Sequence, residues 1–290
     1  MTDLAFLGTG IMGLPMARNL ANAGFTVHAY NRTVEKARPL EADGVQVYDD
    51  PVAAATGCPL MVTMLADADV VLDVAGRALE ATDAPETWIQ MSTIGVSGTE
   101  RCEALADERE LEFVDAPVLG TRAPAEQGNL VVLASGTEDS HPIADPVFDA
   151  VGSRTLWIGE AGAASAAKLA LNSWVVGVVG VLAETIALFQ SLDIDPHTFF
   201  DAVQGGPLDL PYAHLKGEPM IKGSFDDVSF SLSLSRKDAE LVLAAARDAG
   251  LELPIARGAL QRLKAAEAQG HGDEDMAATW WASAPPAMRR

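Results

Sequence analysis

The sequence predicts an α/β domain with a doubly wound, mostly parallel sheet, followed by an all-α domain. In roughly the first half of the chain, short apolar runs alternate with stretches of helical spacing, the pattern of parallel strands joined by crossover helices. A glycine-rich turn follows the first apolar run directly. From residue 163 onward no segment has the features of a strand. We therefore predict an N-terminal domain over residues 1–161 and a helical domain over residues 162–290.

The first element is a strand over residues 4–7, which leads into a G-x-G-x-x-G turn. A strand, a tight turn and a helix opening at this point present backbone N–H groups to the pyrophosphate of a dinucleotide. The motif alone is weak evidence, but a second strand candidate over residues 26–30 follows, as a Rossmann-type domain requires. The predicted cofactor-binding residues of the turn are Gly8, Gly10, Ile11, Met12 and Gly13.

The second strand ends at Asn31, Arg32 and Thr33. NAD enzymes usually offer an acidic residue to the ribose hydroxyls here, whereas an Arg pairs with the 2′-phosphate of NADP. The sequence therefore predicts an NADPH site that includes these three residues.

Further strands and helices continue the alternation. Strand candidates cover residues 44–47, 60–65, 87–91, 111–114, 130–134 and 154–158, and helix candidates cover 34–42, 67–75, 96–108 and 139–151. Leu65 and Ala66, at the end of the strand predicted over 60–65, are assigned to the cofactor site.

The second half consists of predicted helices. They cover residues 163–192, 196–203, 235–249, 254–269 and 274–283, whereas residues 205–227 form a long irregular connection and 285–290 a loose tail. The most apolar stretch, residues 173–183, is shorter than the roughly 20 residues that span a bilayer, so a buried helix is expected. An apolar helical domain of this kind favours a homodimer or homotetramer.

The composition excludes several functions. A net charge of −21 disfavours nucleic acid as a partner, because a phosphate backbone would be repelled. Two cysteines form no disulfide framework, and the N-terminal residues lack the features of a secretory signal, so a cytoplasmic location is expected. The five histidines show no metal-ligand spacing, and no metal is predicted.

Lys168 is the strongest candidate for catalysis, because its neighbours are nearly all small or apolar. One interpretation is a surface lysine whose stem covers apolar neighbours. The other is an ammonium that acts as general acid when a carbonyl is reduced, its pKa lowered by desolvation. Asn172 lies four residues on, hence on the same helix face.

Other polar residues follow predicted strands or open helices. Ser92 and Thr93 could bind a substrate carboxylate or cap the next helix. Asp115 is interpreted as a structural turn residue rather than a catalytic acid. Lys237 could reach the cofactor, or could belong to an ordinary charged helix start.

Together these motifs resemble those of the β-hydroxyacid dehydrogenase family over essentially the whole chain. Residues 6–20 resemble its cofactor signature, residues 115–120 with Gly128 its substrate loop, and Lys168 with Asn172 its catalytic pair; Lys237-Asp238 also matches. Residues 124–128, residues 214–217 and Phe230 resemble the glyoxylate/succinic semialdehyde reductase branch.

The resemblance implies an NADPH-dependent reductase of small aldehyde or keto acids such as glyoxylate and succinic semialdehyde. Lys168 would be the proton donor, and Thr93, Phe230 and Asp238 would shape the substrate pocket. Alternatives are a 3-hydroxyisobutyrate dehydrogenase, an imine reductase of related fold, or a catalytically idle NADPH-binding protein.

One departure concerns the substrate. The family usually has Ser-Gly-Gly or Ser-Gly-Ser where this chain has Leu119, Gly120 and Thr121. Losing a charge-assisted hydrogen bond to a carboxylate costs about 1.5–3 kcal/mol. Either Thr121 and backbone N–H groups compensate, or the substrate is larger or less anionic.

Overall fold

The computed structural model describes residues 2–285 and divides into two compact units, residues 1–168 and 169–290. All of the predicted tail except Pro285 lies outside the described residues. The predicted boundary after residue 161 stays a prediction, and each unit is described by itself.

The first unit contains a six-stranded parallel sheet with the order β3-β2-β1-β4-β5-β6. The strands are β1 (Asp3–Leu7), β2 (Thr26–Tyr30), β3 (Gln46–Tyr48), β4 (Leu60–Thr63), β5 (Thr87–Gln90) and β6 (Glu112–Asp115). This order places the carboxyl ends of β1, β2 and β4 side by side, where an α/β sheet binds dinucleotides. The predicted doubly wound sheet is confirmed.

Helices cover both faces of this sheet. They are α1 (Gly13–Asn22), α2 (Pro51–Ala55), α3 (Ala68–Ala78), α4 (Val96–Glu108), α5 (Arg122–Glu126) and α6 (His141–Val151). Leu4 and Phe6 of β1 belong to the core that contains residues of α1 and α6, and Ala5 and Leu7 belong to the opposite core, with residues of α2, α3 and α4. Burial on both faces explains why residues 4–7 of β1 are all apolar.

The runs at residues 130–134 and 154–158 form strands, but in a second, three-stranded sheet. It contains β7 (Val118–Leu119), β8 (Leu130–Ala134) and β9 (Gly152–Trp157), with β7 antiparallel and β9 parallel to β8. An antiparallel bridge between Asp115 and Ser135 connects the end of β6 to this sheet.

The prediction of a helix over residues 34–42 is wrong. The segment forms two 3₁₀ turns, Val34–Lys36 and Arg38–Asp43. Pro39 stands within it and has no N–H to donate to an α-helical hydrogen bond, which favours short turns.

The second unit is helical, as predicted. Its helices are the greater part of α7 (Ala163–Ser191), α8 (His197–Val203), α9 (Pro211–Lys222), α10 (Leu232–Asp248) and α11 (Pro254–Ala266). A π turn (Glu267–His271) and a 3₁₀ helix (Met276–Ala282) follow, the latter where residues 274–283 were predicted as a helix.

The prediction of an irregular connection over residues 205–227 is wrong in part, because it contains α9. Pro211 stands at the start of this helix, where a missing N–H costs nothing. Gly223 ends it in a left-handed conformation, with φ +62°. The prolines and glycines that suggested a loop therefore mark the ends of a helix, with Pro219 tolerated near its C-terminus.

Helix α7 is 29 residues long and carries an 18-residue window of mean hydropathy 1.7, so by length and composition alone it could cross a membrane. The prediction that the apolar stretch is too short to span a bilayer is wrong, because residues 173–183 are only part of this apolar helix. One side of the helix is buried in the core of the second unit through Val176, Val179, Leu182, Ala183 and Ile186. A helix in the core of a globular domain buries one side against its neighbours in this way.

Candidate active site

The glycine turn has the geometry that a pyrophosphate requires. Gly8 has φ +111°, and a Cβ there would lie 2.3 Å from the carbonyl oxygen of Met64. A Cβ on Gly13 would lie 1.9 Å from the carbonyl oxygen of Gly8. A Cβ on Gly10 would meet nothing within 4 Å. Packing therefore requires Gly8 and Gly13, whereas Gly10 borders open space that a ligand can fill.

The N-terminus of α1 is available to an anion. Its cap residue, Met12, makes no side-chain cap hydrogen bond, and the first turn holds no acidic residue. The hydroxyl of Thr9, within the turn, is buried with no partner among the described residues. The partial positive charge of a helix start and its N–H groups favour a phosphate here. These residues fit a dinucleotide.

The end of β2 is tied to the glycine turn by Asn31. Its side-chain oxygen accepts the N–H of Thr9 at 3.2 Å, and its side-chain nitrogen donates to the carbonyl oxygen of Thr33 at 2.8 Å. Arg32 and Thr33 are exposed. The three residues predicted to bind the 2′-phosphate therefore stand in one loop beside the turn.

Ser92 and Thr93 occupy different environments. Ser92 is fully buried; its hydroxyl accepts the N–H of Leu65 at 2.8 Å and its own N–H donates to Gln90 Oε1 at 2.6 Å. Ser92 thus joins the chain after β4 to the chain after β5. Thr93 is half-buried and Ala66 is exposed. The suggestion that Ser92 or Thr93 caps the next helix is wrong, because Gly95 precedes α4 as its cap.

The predicted substrate loop follows β6. Gly120 has φ +134°, and a Cβ there would lie 2.6 Å from Leu130 Cδ2, so only glycine fits. Leu119 and Thr121 on either side are half-buried. The side chain of Asn19 on α1 donates to the carbonyl oxygen of Ala125 at 2.7 Å and so holds α5, the helix after this loop.

Lys168 is 9% exposed, which excludes the surface interpretation. Its Nζ donates to the carbonyl oxygen of Val118, in the substrate loop, at 2.7 Å. A buried ammonium is thus directed at the loop that the sequence associates with substrate.

Asp115 is fully buried at the end of β6 and is not a turn residue. Its carboxylate accepts the N–H and the hydroxyl of Ser165, both at 2.8 Å, and the hydroxyl of Ser135 at 3.3 Å. Burial raises the pKa of Asp115 to about 6, although these hydrogen bonds act to lower it. Sequence reasoning missed both serines. The sequence does offer one signal, the hydroxyl of Ser165, which stands in the otherwise apolar first turn of α7, three residues before Lys168.

The second unit holds a polar cluster of Asn172, Lys237 and Asp238. The side-chain nitrogen of Asn172 donates to Asp238 Oδ2 at 2.8 Å, and Lys237 Nζ lies 3.0 Å from Asp238 Oδ1. Asn172 and Asp238 are buried. The half-buried Phe230 precedes the helix α10 that carries the charged pair. Within this unit Lys237 therefore stands in an ion pair, and its predicted cofactor contact stays a prediction.

Comparison with known families covers both parts of the chain. Residues 3–159 match the NAD binding domain of 6-phosphogluconate dehydrogenase. Residues 162–281 match the NAD-binding domain of NADP-dependent 3-hydroxyisobutyrate dehydrogenase.

Individual proteins match over nearly the full length. Glyoxylate/succinic semialdehyde reductase 2 of Arabidopsis thaliana is 34% identical, over 95% of this chain and 78% of the relative. The crystal structure of a 3-hydroxyisobutyrate dehydrogenase from Salmonella typhimurium aligns with a TM-score of 0.88 at 26% identity, over 97% of this chain and 99% of that one. A Mycobacterium tuberculosis 3-hydroxyisobutyrate dehydrogenase solved with L-serine aligns with a TM-score of 0.83 at 29% identity, over 97% and 98%.

The fold and these matches define an NAD(P)-dependent oxidoreductase of the hydroxyacid dehydrogenase class. The chain belongs to the β-hydroxyacid dehydrogenase (3-hydroxyisobutyrate dehydrogenase-like) family, and the predicted resemblance is confirmed.

Proposed function

We propose that the protein reduces small aldehyde or keto acids, such as glyoxylate and succinic semialdehyde, with NADPH as cofactor and Lys168 as proton donor. The observation that carries the proposal is the buried ammonium of Lys168 at 2.7 Å from a carbonyl oxygen of the substrate loop. Named reductases of glyoxylate and succinic semialdehyde at 34% and 30% identity support this substrate class.

In the proposed reaction, the glycine turn with Asn31, Arg32 and Thr33 would hold NADPH, which would supply a hydride to the carbonyl carbon of the substrate. Negative charge develops on the carbonyl oxygen, where the ammonium of Lys168 stabilises it and then transfers a proton. The Val118 carbonyl keeps the ammonium in place before substrate arrives. Asn172, four residues along α7, orients the substrate.

The variant Lys168→Ala tests this mechanism. We expect kcat for glyoxylate and succinic semialdehyde to fall by about 10²- to 10⁴-fold, the usual contribution of a general acid. Lys264→Ala is the matched control, because Lys264 is an exposed lysine on α11 that pairs with Glu240. Near-normal kcat in Lys168→Ala would show that another group donates the proton.

We also propose that the protein forms a homodimer through α7. Trp174, Val181 and Leu188 on this helix are 67%, 59% and 59% exposed. Their seven-residue spacing places them along one side of the helix, in a stripe about 21 Å long. The stripe is symmetric about Val181, so an antiparallel second copy sets each Trp174 against the partner's Leu188. Such self-complementarity is what a two-fold interface requires.

We assign the activity to the cytoplasm. Cys58 and Cys102 are buried free thiols, and burial raises their pKa values to about 11 and about 12. Proteins without disulfides are typical of reducing compartments.

A further inference from the structure

We propose that Asp115 is a positioning residue for Lys168. Its carboxylate fixes the first turn of α7 and so sets where the ammonium meets the substrate loop. The inference rests on the proposed role of Lys168 and adds a group that acts through it.

The first turn of α7 is held from outside the helix. The first N–H groups of any helix have no partner within it. Here the N–H of Ala164 donates to the hydroxyl oxygen of Ser135 at 3.1 Å, and the N–H of Ser165 donates to the carboxylate of Asp115 at 2.8 Å. Asp115 is the last residue of β6, and Ser135 directly follows β8. The position of the turn therefore depends on the sheets rather than on the local sequence.

The carboxylate is suited to this task by charge and by hydrogen bonding. A negative charge at a helix N-terminus is stabilised by the helix dipole, and charge-assisted hydrogen bonds are stronger than neutral ones. The hydroxyl of Ser165 donates a second hydrogen bond to Asp115, and the hydroxyl oxygen of Thr99 lies 2.9 Å from the hydroxyl oxygen of Ser165. The turn is thus held at its backbone and at a side chain.

One short segment contacts the helix twice. Asp115 contacts Ser165, and Val118, three residues further on, accepts the hydrogen bond from Lys168. Ser165 and Lys168 are likewise three residues apart, about one helical turn. If this turn rotates or slides, the ammonium moves away from the Val118 carbonyl. The hydrogen bond between Ser165 and Asp115 therefore determines whether Lys168 can reach Val118.

Asp115 cannot take part in the chemistry directly. Its exposed fraction is 0%, and its oxygens are occupied by two serines. Its effect on catalysis must therefore pass through the helix turn that it holds.

The test compares Asp115→Asn and Ser165→Ala with Lys168→Ala at pH about 8, above the pKa of about 6 of Asp115, where that group is ionised. We expect kcat to fall by about 10- to 100-fold in the first two variants, as for a misplaced catalytic group. The Kd for NADPH, from fluorescence titration, stays unchanged. The solvent deuterium isotope effect on kcat increases, because transfer of the proton becomes slower than the other steps.

Ser140→Ala is the matched control. Ser140 is also buried in the first unit, and its hydroxyl donates to the carbonyl oxygen of Thr137 at 2.7 Å, next to α6 rather than α7. A similar loss of kcat in Ser140→Ala would reduce the role of Asp115 to folding and overturn the inference. A loss of kcat in Asp115→Asn and Ser165→Ala without a larger solvent isotope effect would do the same.

The outcomes separate the two proposals. If Lys168→Ala loses activity while Ser165→Ala and Asp115→Asn keep kcat within about twofold, the proposed function stands and the positioning role is wrong. If Lys168→Ala keeps its activity, both are wrong. If Asp115→Asn fails to fold, Ser165→Ala alone decides.

Discussion

At the scale of single residues, the proposed preference for NADPH over NADH rests on Arg32. This side chain is exposed beside Asn31, which is bonded to the glycine turn. A guanidinium at this place can form charge-assisted hydrogen bonds with the 2′-phosphate of NADPH, which NADH lacks.

We expect Arg32→Ala to weaken NADPH binding by about 10- to 100-fold, the value of one or two charge-assisted bonds, and to leave NADH binding nearly unchanged. Fluorescence titration with both cofactors measures the effect. Arg154→Ala serves as control, since Arg154 is an exposed arginine of β9 in the same unit. Equal losses for the two cofactors would contradict a 2′-phosphate contact.

Leu119 is the second residue with a specific consequence. It stands at the end of β7, one residue after the carbonyl group that holds Lys168, and it replaces a hydroxyl that the family usually has. A leucine side chain cannot form a hydrogen bond with a substrate carboxylate, so either Thr121 and backbone N–H groups compensate or the substrate is larger or less anionic.

In Leu119→Ser we expect kcat/KM for glyoxylate and succinic semialdehyde to increase by about tenfold or more, because a hydrogen bond to a charged group is restored. Leu119→Ala is the control, since it removes the same bulk without adding a hydroxyl. Assays with methylmalonate semialdehyde and a cyclic imine distinguish the two alternative activities. A greater gain for the imine than for the acids would contradict a carboxylate contact.

At the scale of elements, a buried ion pair joins three segments of the second unit. Lys216 of α9 is 1% exposed, and its Nζ lies 2.7 Å from Asp275 Oδ1. Asp275 also accepts the N–H groups of Ser229 at 3.0 Å and Phe230 at 3.3 Å. Burial acts to raise the pKa of Asp275, but Lys216 and the backbone N–H groups of Ala277 and Ser229 outweigh it and hold this pKa below its ordinary value. The pair thus fixes the segment that leads into α10 and its Asp238.

We expect Lys216→Met to lower the free energy of unfolding by about 3–5 kcal/mol, because it leaves the Asp275 carboxylate buried without its partner. Urea unfolding of the wild type, Lys216→Met and the double variant with Asp275→Leu measures this. The double variant should be more stable than Lys216→Met, since it buries no charge. Lys222→Met is the control on the same helix, where the pair with Glu218 is exposed and its loss should have little effect. A small loss in Lys216→Met would contradict this account.

The features that the sequence predicted well are local in the chain. The glycine turn, the long helix α7 and the alternation of strands and helices each follow from residues close together, and the structure confirms them. The hydrogen bond from Ser165 to Asp115, which holds the first turn of α7, could not be predicted, because the two residues are 50 positions apart and no local pattern links them. Helix α9 was missed for a different reason, since its bounding proline and glycine are also the residues of loops.

At the scale of the whole molecule, two opposing effects act on the proposed homodimer. A net charge of −21 repels a second copy, and this repulsion decreases with ionic strength. The stripe of Trp174, Val181 and Leu188 is apolar, so its attraction is not screened. A dimer held by the stripe should therefore become tighter when salt is added, unlike one held by ion pairs.

We expect sedimentation velocity to show a homodimer whose Kd decreases when NaCl is raised from about 50 to 500 mM, because screening removes repulsion between the acidic subunits. Val181→Glu should convert it to monomer, since a carboxylate at the centre of the stripe would meet its own copy across the two-fold axis. Leu251→Glu is the matched control: Leu251 is 59% exposed, like Val181, but follows α10 and lies outside the stripe. A Val181→Glu variant that stays dimeric, or a Kd that increases with salt, would show that the copies associate through another, charged surface.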